Sequence, residues 1–283
     1  MSAAKRIFAA LSKHSSTSTN YMYKYTPEAL AAPSETWMGA VAYNYSDLFQ
    51  IVQDTSKGLL SMGYGPNSRI ATCLLNTSTN VVFQLSCALT GTTLVTTKDP
   101  LGVQDLSDQF QCNGIFTQDV YEELQEIGKR SNIKDICQAK GDEEFAIYGG
   151  GKTSVSLDSL VALADKTAQH FSLTKDDVIA VPVSLNHSMG MGCGILPALL
   201  SGSQAVLPAN IVDPELIVEA LLNQQATLLI ADTHMLNEVN TLGKGKKFAL
   251  RGGLVKIGSG EDISSTEVRD VLGVSFDTIG VPR

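Results

Sequence analysis

Gly149-Gly150-Gly151-Lys152-Thr153-Ser154 brings together what phosphate chemistry needs: bare backbone, an ammonium and hydroxyls. Successive glycines let main-chain N–H groups close on an anion, and a neighbouring lysine adds charge. The run follows a predicted strand over Phe145–Tyr148, as a phosphate loop would. A Walker loop, G-x-x-x-x-G-K-[ST], needs an earlier glycine as well. Counting back from Gly151 puts Ala146 at that position, inside the strand, so the pattern fails. Two readings remain for Gly149, Gly150, Gly151, Lys152 and Thr153: an anion nest, or a shortened connection between elements.

The other chemistry-bearing residues are more scattered. His187 closes the segment Pro182-Val183-Ser184-Leu185-Asn186, where a strand-end histidine is commonly satisfied by backbone. His170 ends a predicted helix and suits the negative end of its dipole. His234 has no obvious partner. Asp176-Asp177 precede a strand and read as a polar turn rather than a catalytic carboxylate pair. The five cysteines include no C-x-x-C pair, so no metal site is expected. Cys73, Cys87 and Cys193 lie in apolar runs and read as core thiols. No catalytic residue is assigned from spacing alone.

These residues hang on an alternating pattern of strands and helices. A helix capped by Ser46 carries Leu48, Ile51, Val52, Leu59 and Leu60 inward and ends near Gly63. Arg69–Leu75 reads as a strand, Thr79–Leu89 as a helix, and Thr92–Thr97 as a β-branched strand. Gly114–Thr117 (strand), Val120–Lys129 (helix), Phe145–Tyr148 (strand) and Asp158–His170 (helix) continue the rhythm. In the second half, Val178–Val181, Ala205–Leu207, Thr227–Ile230, Leu254–Ile257 and Val274–Thr278 are strands. Between them lie a glycine-broken helix over Ser188–Leu200, a helix opened by Asp213-Pro214, and helices over His234–Leu242 and Ser264–Leu272. The pattern predicts an α/β fold of parallel β-α-β layers. Residues 1–44 read as a basic leader followed by a Tyr-rich extended arm, and residues 45–283 as the main domain. A polar run over 138–144 marks possible lobes at 45–140 and 141–283.

Composition narrows the function classes. The 283 residues are 43% hydrophobic and 18% charged, as in a globular protein. A net charge of −8 excludes a general nucleic-acid binder, and the lysines over Lys244–Lys247 read as a solvated turn. No apolar run reaches the ~18–20 residues that span a bilayer, so the protein is expected to be peripheral to a membrane at most. The first residues carry Lys5, Arg6 and Lys13 beside Ile7, Phe8 and Leu11, then Ser15–Thr19, with no acid before Glu28. That composition predicts a mitochondrial protein. An ordinary basic helix kept in the mature chain is the alternative.

Three stretches carry a family resemblance. Tyr45-Ser46-Asp47-Leu48 leads through Gly58-Leu59-Leu60-Ser61-Met62-Gly63 to Asn67-Ser68-Arg69-Ile70-Ala71, the turn at Asn76, Ala88–Val95 and Asp99-Pro100. Leu173-Thr174-Lys175-Asp176-Asp177-Val178 leads to Pro182–Gly190, then to Leu199-Leu200-Ser201-Gly202 and Asp213-Pro214. Gly258-Ser259-Gly260-Glu261 is followed by Phe276-Asp277-Thr278-Ile279-Gly280. In this order the stretches resemble the large domain of the AMP-forming acyl-CoA synthetase and luciferase superfamily. The resemblance puts His187 at the entrance of an acyl pocket, where it could line an acyl or pantetheine channel.

The departures from the family bear on function. The family's Ser/Thr/Gly phosphate loop is replaced by the run at Gly149–Ser154, and its Tyr-Gly-x-Thr-Glu motif by Ile279-Gly280-Val281-Pro282-Arg283. The chain reaches Arg283 before any small C-terminal domain with its catalytic lysine. Adenylation depends on groups that neutralise developing charge, and losing one can cost ~3 kcal/mol. The resemblance therefore implies a pseudoenzyme without cofactors, serving as an accessory subunit of a large mitochondrial assembly such as an ATP synthase, respiratory complex or ribosome. Tyr21, Tyr23, Tyr25, Trp37, Tyr43 and Tyr45 would contact its protein partners. The alternatives are a residual acyl-CoA or nucleotide-binding module, or a ligase half completed by another chain.

Overall fold

The computed structural model describes residues 1–16, 20–25, 40–117, 120–209, 212–256, 269 and 271–277. Two sheets with helices around them confirm the α/β prediction. The chain opens with α1 (Ala3–His14), β1 (Asn20–Tyr25), β2 (Ala40–Asn44) and α2 (Tyr45–Ser61). It continues through β3 (Arg69–Thr72), α3 (Ser78–Thr90), β4 (Thr93–Thr96), α4 (Val103–Gln109), β5 (Gly114–Phe116) and α5 (Val120–Lys129). A hairpin of β6 (Glu144–Tyr148) and β7 (Thr153–Ser156) completes the first sheet, and α6 (Leu157–His170) leads to the second. There follow β8 (Val178–Ala180), a π-helical turn (Gly190–Ile195) running into α7 (Leu196–Ser201), and β9 (Gln204–Leu207). The last elements are α8 (Pro214–Asn223), β10 (Leu228–Asp232), α9 (Thr233–Leu242), β11 (Gly252–Lys256) and β12 (Phe276–Asp277).

The first sheet has the order β5-β3-β4-β6-β7, parallel except for β7. The second has the order β12-β11-β10-β8-β9-β1-β2, parallel except for β2. The sheets exchange at α6, after Ser156. The polar run at 138–144 is a connecting loop within the first sheet, because β6 beyond it pairs with β4.

The described parts of the segment expected to be an extended arm, β1 and β2, are built into the second sheet. β1 lies parallel to β9, with Met22 opposite Ala205, and β2 returns antiparallel beside it. Tyr45 is fully buried, with its hydroxyl 3.1 Å from the carbonyl of Ala198 and 2.9 Å from that of Ser203. Trp37 lies outside the described residues. The basic N-terminus forms α1, whose Ala3, Ala4, Ile7 and Leu11 enter the main core. Arg6 forks onto Asp165 of α6 with two short bonds, 2.7 and 2.6 Å. Asn44, one residue before α2, caps it by accepting the N–H of Asp47, in place of Ser46. The basic run after α9 is an exposed turn, as expected.

The glycine-broken helix takes π geometry because its glycines meet neighbours head-on. A Cβ at Gly190 would strike the carbonyl of Ser184, and one at Gly194 the side chain of Val181. Helices α2 and α5 cross on a second glycine pair: a side chain at Gly58 would enter the carbonyl of Leu124, and one at Gly128 that of Asp54. No helix among the described residues is long and apolar enough to cross a membrane. Gly128→Ala should lower stability by about 1–3 kcal/mol through overpacking. Chemical denaturation checks it, with exposed Ser12→Ala as the neutral reference.

Candidate functional site

Helix α3 is buried along its whole length between the sheets. A helix so placed must satisfy any polar side chain internally. Asn80 and Gln84, each 1% exposed, do so by reaching into the second lobe. Gln84 Nε2 donates to the carbonyl of Leu185 (2.9 Å) and to Asn80 Oδ1 (3.0 Å). Its Oε1 accepts the hydroxyl of buried Tyr148 at 2.8 Å. Asn80 Nδ2 donates to the carbonyl of Leu75 and to Asn186 Oδ1. Asn186 Nδ2 donates to the carbonyl of Leu74 at 2.7 Å. Asn76 donates to the carbonyls of Pro182 and Val183 and accepts the N–H of Leu185. The network fixes Pro182–Asn186, which leaves the C-terminal end of β8 and delivers His187. It also fixes Tyr148, the last residue before the glycine run.

His187 stands half-buried at that end. Its Nδ1 accepts the main-chain N–H of Met189 at 3.0 Å, and its Nε2 lies 3.1 Å from Nζ of Lys256, the last residue of β11. Burial first, then the charges of Lys256 and Lys98, push its pKa down to about 4. Lys98 is exposed and follows β4 of the other sheet. Asp232, opposite Lys256 in register, accepts the N–H of Met235 as the cap of α9. The result is a cationic group of side chains where the C-terminal strand ends of both sheets meet, the usual ligand edge of parallel α/β sheets.

The glycine run is the tight end of the β6–β7 hairpin. Gly149, Gly150 and Gly151 all hold positive φ, 66°, 73° and 90°, which admits them where a side chain would be strained. The N–H of Gly150 donates to Thr96 (2.9 Å) and that of Lys152 to Tyr148 (3.1 Å). Thr153 opposes Tyr148 in the ladder, and the Ser154 hydroxyl donates to Glu144 at 2.6 Å. Lys152 is exposed. The hydrogen-bonding neighbours of the His187 ring among the described residues are Met189 and Lys256, not the hairpin.

The remaining candidates fall elsewhere. Asp177 is no solvated turn residue: it is 5% exposed and accepts from Thr174, Thr227 and Arg251, the last at 2.7 Å. Burial pushes its carboxyl up, but the bonds from Arg251, Thr174 and Thr227 outweigh it and hold the group below the usual range. It ties together the starts of β8, β10 and β11. His170 meets Asp277 of β12 at 3.0 Å. His234 has a partner after all, Glu238 one turn along α9 at 3.4 Å. All five cysteines are free thiols; Cys87 and Cys193 are buried as expected, whereas Cys73 is half-buried at the end of β3. No cluster of three or more His, Cys, Asp or Glu among the described residues could hold a metal. Open grooves of about 400 and 390 Å³ lie over Arg69, Thr93 and Glu144, and along α9 at His234 and Leu242, away from His187.

No family model and no curated protein sequence matches the chain. Solved structures do. A long-chain-fatty-acid-CoA ligase from Archaeoglobus fulgidus aligns with a TM-score of 0.78 at 16% identity, over 99% of this chain and 63% of that one. O-succinylbenzoate coenzyme A synthetase from Bacillus subtilis, in complex with AMP, aligns at 0.72 and 15%, over 94% and 71%. A nonribosomal peptide synthetase aligns at 0.80 and 12%, over 99% and 31%. The chain thus has the fold of the acyl-CoA synthetase large domain, and spans less than two thirds of the fatty-acid ligase it matches.

Two outcomes follow from this geometry. Gln84→Met strands the Tyr148 hydroxyl and the Leu185 carbonyl and should cost about 3 kcal/mol. Adding Tyr148→Phe should cost less than the two single losses summed, which a denaturation cycle measures. His187 binds its proton near 6.5 when unfolded but only near 4 when folded. Between those values the unfolded chain holds more protons, so its contribution to stability is full above 6.5 and declines as pH falls toward 4. His187→Gln should flatten that part of the stability–pH curve.

Proposed function

We propose that this domain binds an anionic small molecule of the nucleotide or acyl-CoA kind where the strand ends of its two sheets meet. The observation that carries the reading is the convergence of Lys98, His187 and Lys256 there, with the Asp232 carboxylate turned to the cap of α9. Likeness to a synthetase solved with AMP supports AMP as the first ligand to try. We read the domain as holding its ligand without adenylating a carboxylate by itself. The hairpin supports this, because two of its N–H groups and the Ser154 hydroxyl are already committed to protein acceptors. A triphosphate would find few donors left.

A second reading, favoured by the basic, acid-poor N-terminus, is that of an accessory subunit in a mitochondrial assembly. It fits best with α1 retained, since removing α1 would strip Ile7 and Leu11 from the core. Co-migration with a high-mass complex from mitochondrial extracts supports that reading; migration as a lone chain speaks against it.

Titration calorimetry with AMP, ATP and acyl-CoAs tests the first reading. One ligand should bind at a single site, and Lys98→Glu should weaken it about tenfold, or ~1.4 kcal/mol. Pyrophosphate should not be released from ATP and a fatty acid by the chain alone. Its appearance only with a partner chain would make this a ligase half. No heat with any of these ligands at millimolar concentration would exclude the binding role.

A further inference from the structure

We infer that the anchor of this site is an oxyanion bridging Nε2 of His187 and Nζ of Lys256 from one side, a place for one carboxylate or phosphate group. The inference rests on the binding role proposed above and names the chemistry of its ligand. It starts from the Met189 N–H, which donates to Nδ1 of His187 at 3.0 Å. That nitrogen therefore carries a lone pair, and in the neutral ring the proton sits on Nε2. Nε2–H points toward Nζ of Lys256 across 3.1 Å. An ammonium has donors and no acceptor. Two donors thus face each other, and neither can serve the other.

Two internal escapes are unfavourable. Moving the proton to Nδ1 would set it against the Met189 N–H. Protonating the ring would place a second cation beside Lys256, which burial and the charges of Lys256 and Lys98 oppose. The nearest acid in register, Asp232, has an oxygen engaged by the N–H of Met235 at 2.9 Å. An oxyanion resolves the conflict. Its lone pairs accept from both nitrogens, its charge offsets Lys256, and Lys98 adds attraction from the facing sheet. The bonds it would make are charge-assisted and stronger than neutral ones. Lys256 thereby becomes the residue that selects for negative charge, and His187 the neutral donor that orients it.

The test uses the full chain with ¹⁵N-labelled histidine and lysine, followed by NMR at pH 7.5. Probes are acetate for the carboxylate, inorganic phosphate for the phosphate, and AMP. The free protein should show His187 with its proton on Nε2. Addition of a binding anion should shift His187 Nε2 and Lys256 Nζ together, and the probe that does so at lower concentration identifies the group. Lys256→Met should weaken AMP about tenfold or more, and Lys256→Arg should restore most of that affinity. Circular dichroism confirms that both variants fold. AMP binding unaffected by Lys256→Met overturns this inference while leaving the binding role intact. So does a free-protein spectrum with the proton on Nδ1. Absence of binding by every probe removes the role and the inference together.

Discussion

Between the two sheets the chain leaves β8 and runs irregularly through Pro182–Asn186, and buried backbone in such a segment has no strand partner to satisfy it. Side-chain amides do the work instead. Asn76 takes two carbonyls and one N–H, Gln84 takes the carbonyl of Leu185, and Asn186 reaches back to Leu74. Because every member of this network is buried, a shift of one lobe against the other would strand several polar groups at once. Each stranded group costs ~1–3 kcal/mol, so the lobes are held in one register. The position of His187 depends on that register, as does the height of the β6–β7 hairpin through Tyr148.

Given that frame, the electrostatics at the strand ends become intelligible. Asp177 and Arg251 sit at the opposite ends of the same strands and satisfy each other, so the carboxylate there stabilises the sheet and is not available to neutralise the ligand edge. At the edge itself Asp232 turns to cap α9. Of the two acids named, one is paired with Arg251 and the other has an oxygen engaged by the Met235 N–H. A chain of net charge −8 can therefore present a locally positive site.

The parts legible in the sequence were those fixed locally. Apolar strands punctuated by capped helices declared the α/β rhythm, and glycines at helix ends marked where α3 and α7 stop. What escaped was fixed by distant partners. β1 is a strand because β9, far along the chain, offers it an edge, and nothing in Asn20–Tyr25 announces that. β7 pairs with β6 across a glycine turn, although Thr153–Ser156 is polar apart from Val155 and reads as part of a connection. At the site, His187 stood out by its position, but its partner Lys256 is 69 residues away. A signal for the network was present all the same. Asn80 and Gln84 sit four apart in the helix over 78–90, whose remaining polar residues are only Ser and Thr, a spacing that places two amides on one face. Lysines closing the β-branched run before Lys98 and the apolar run before Lys256 likewise point at a ligand edge.

The hairpin and the cationic edge differ in a way that bears on what the domain can do. A loop that grips a triphosphate must hold its N–H and hydroxyl donors free and aimed outward. Here the loop is only four residues long, Gly149–Lys152; the Lys152 N–H closes it onto Tyr148 and the Gly150 N–H is taken by the Thr96 carbonyl of β4. Its three glycines are required by the positive φ of the turn itself, so their presence needs no ligand to explain it. The donors around His187 have the opposite character: Nε2 and the Lys256 ammonium face each other at 3.1 Å, and no hydrogen bond among the described residues relieves them. The glycines of the hairpin are explained by the turn, whereas the facing donors lie at His187 and Lys256. On the binding role proposed above, such a site would hold one anionic group and give little support to the charge that builds up during adenylation.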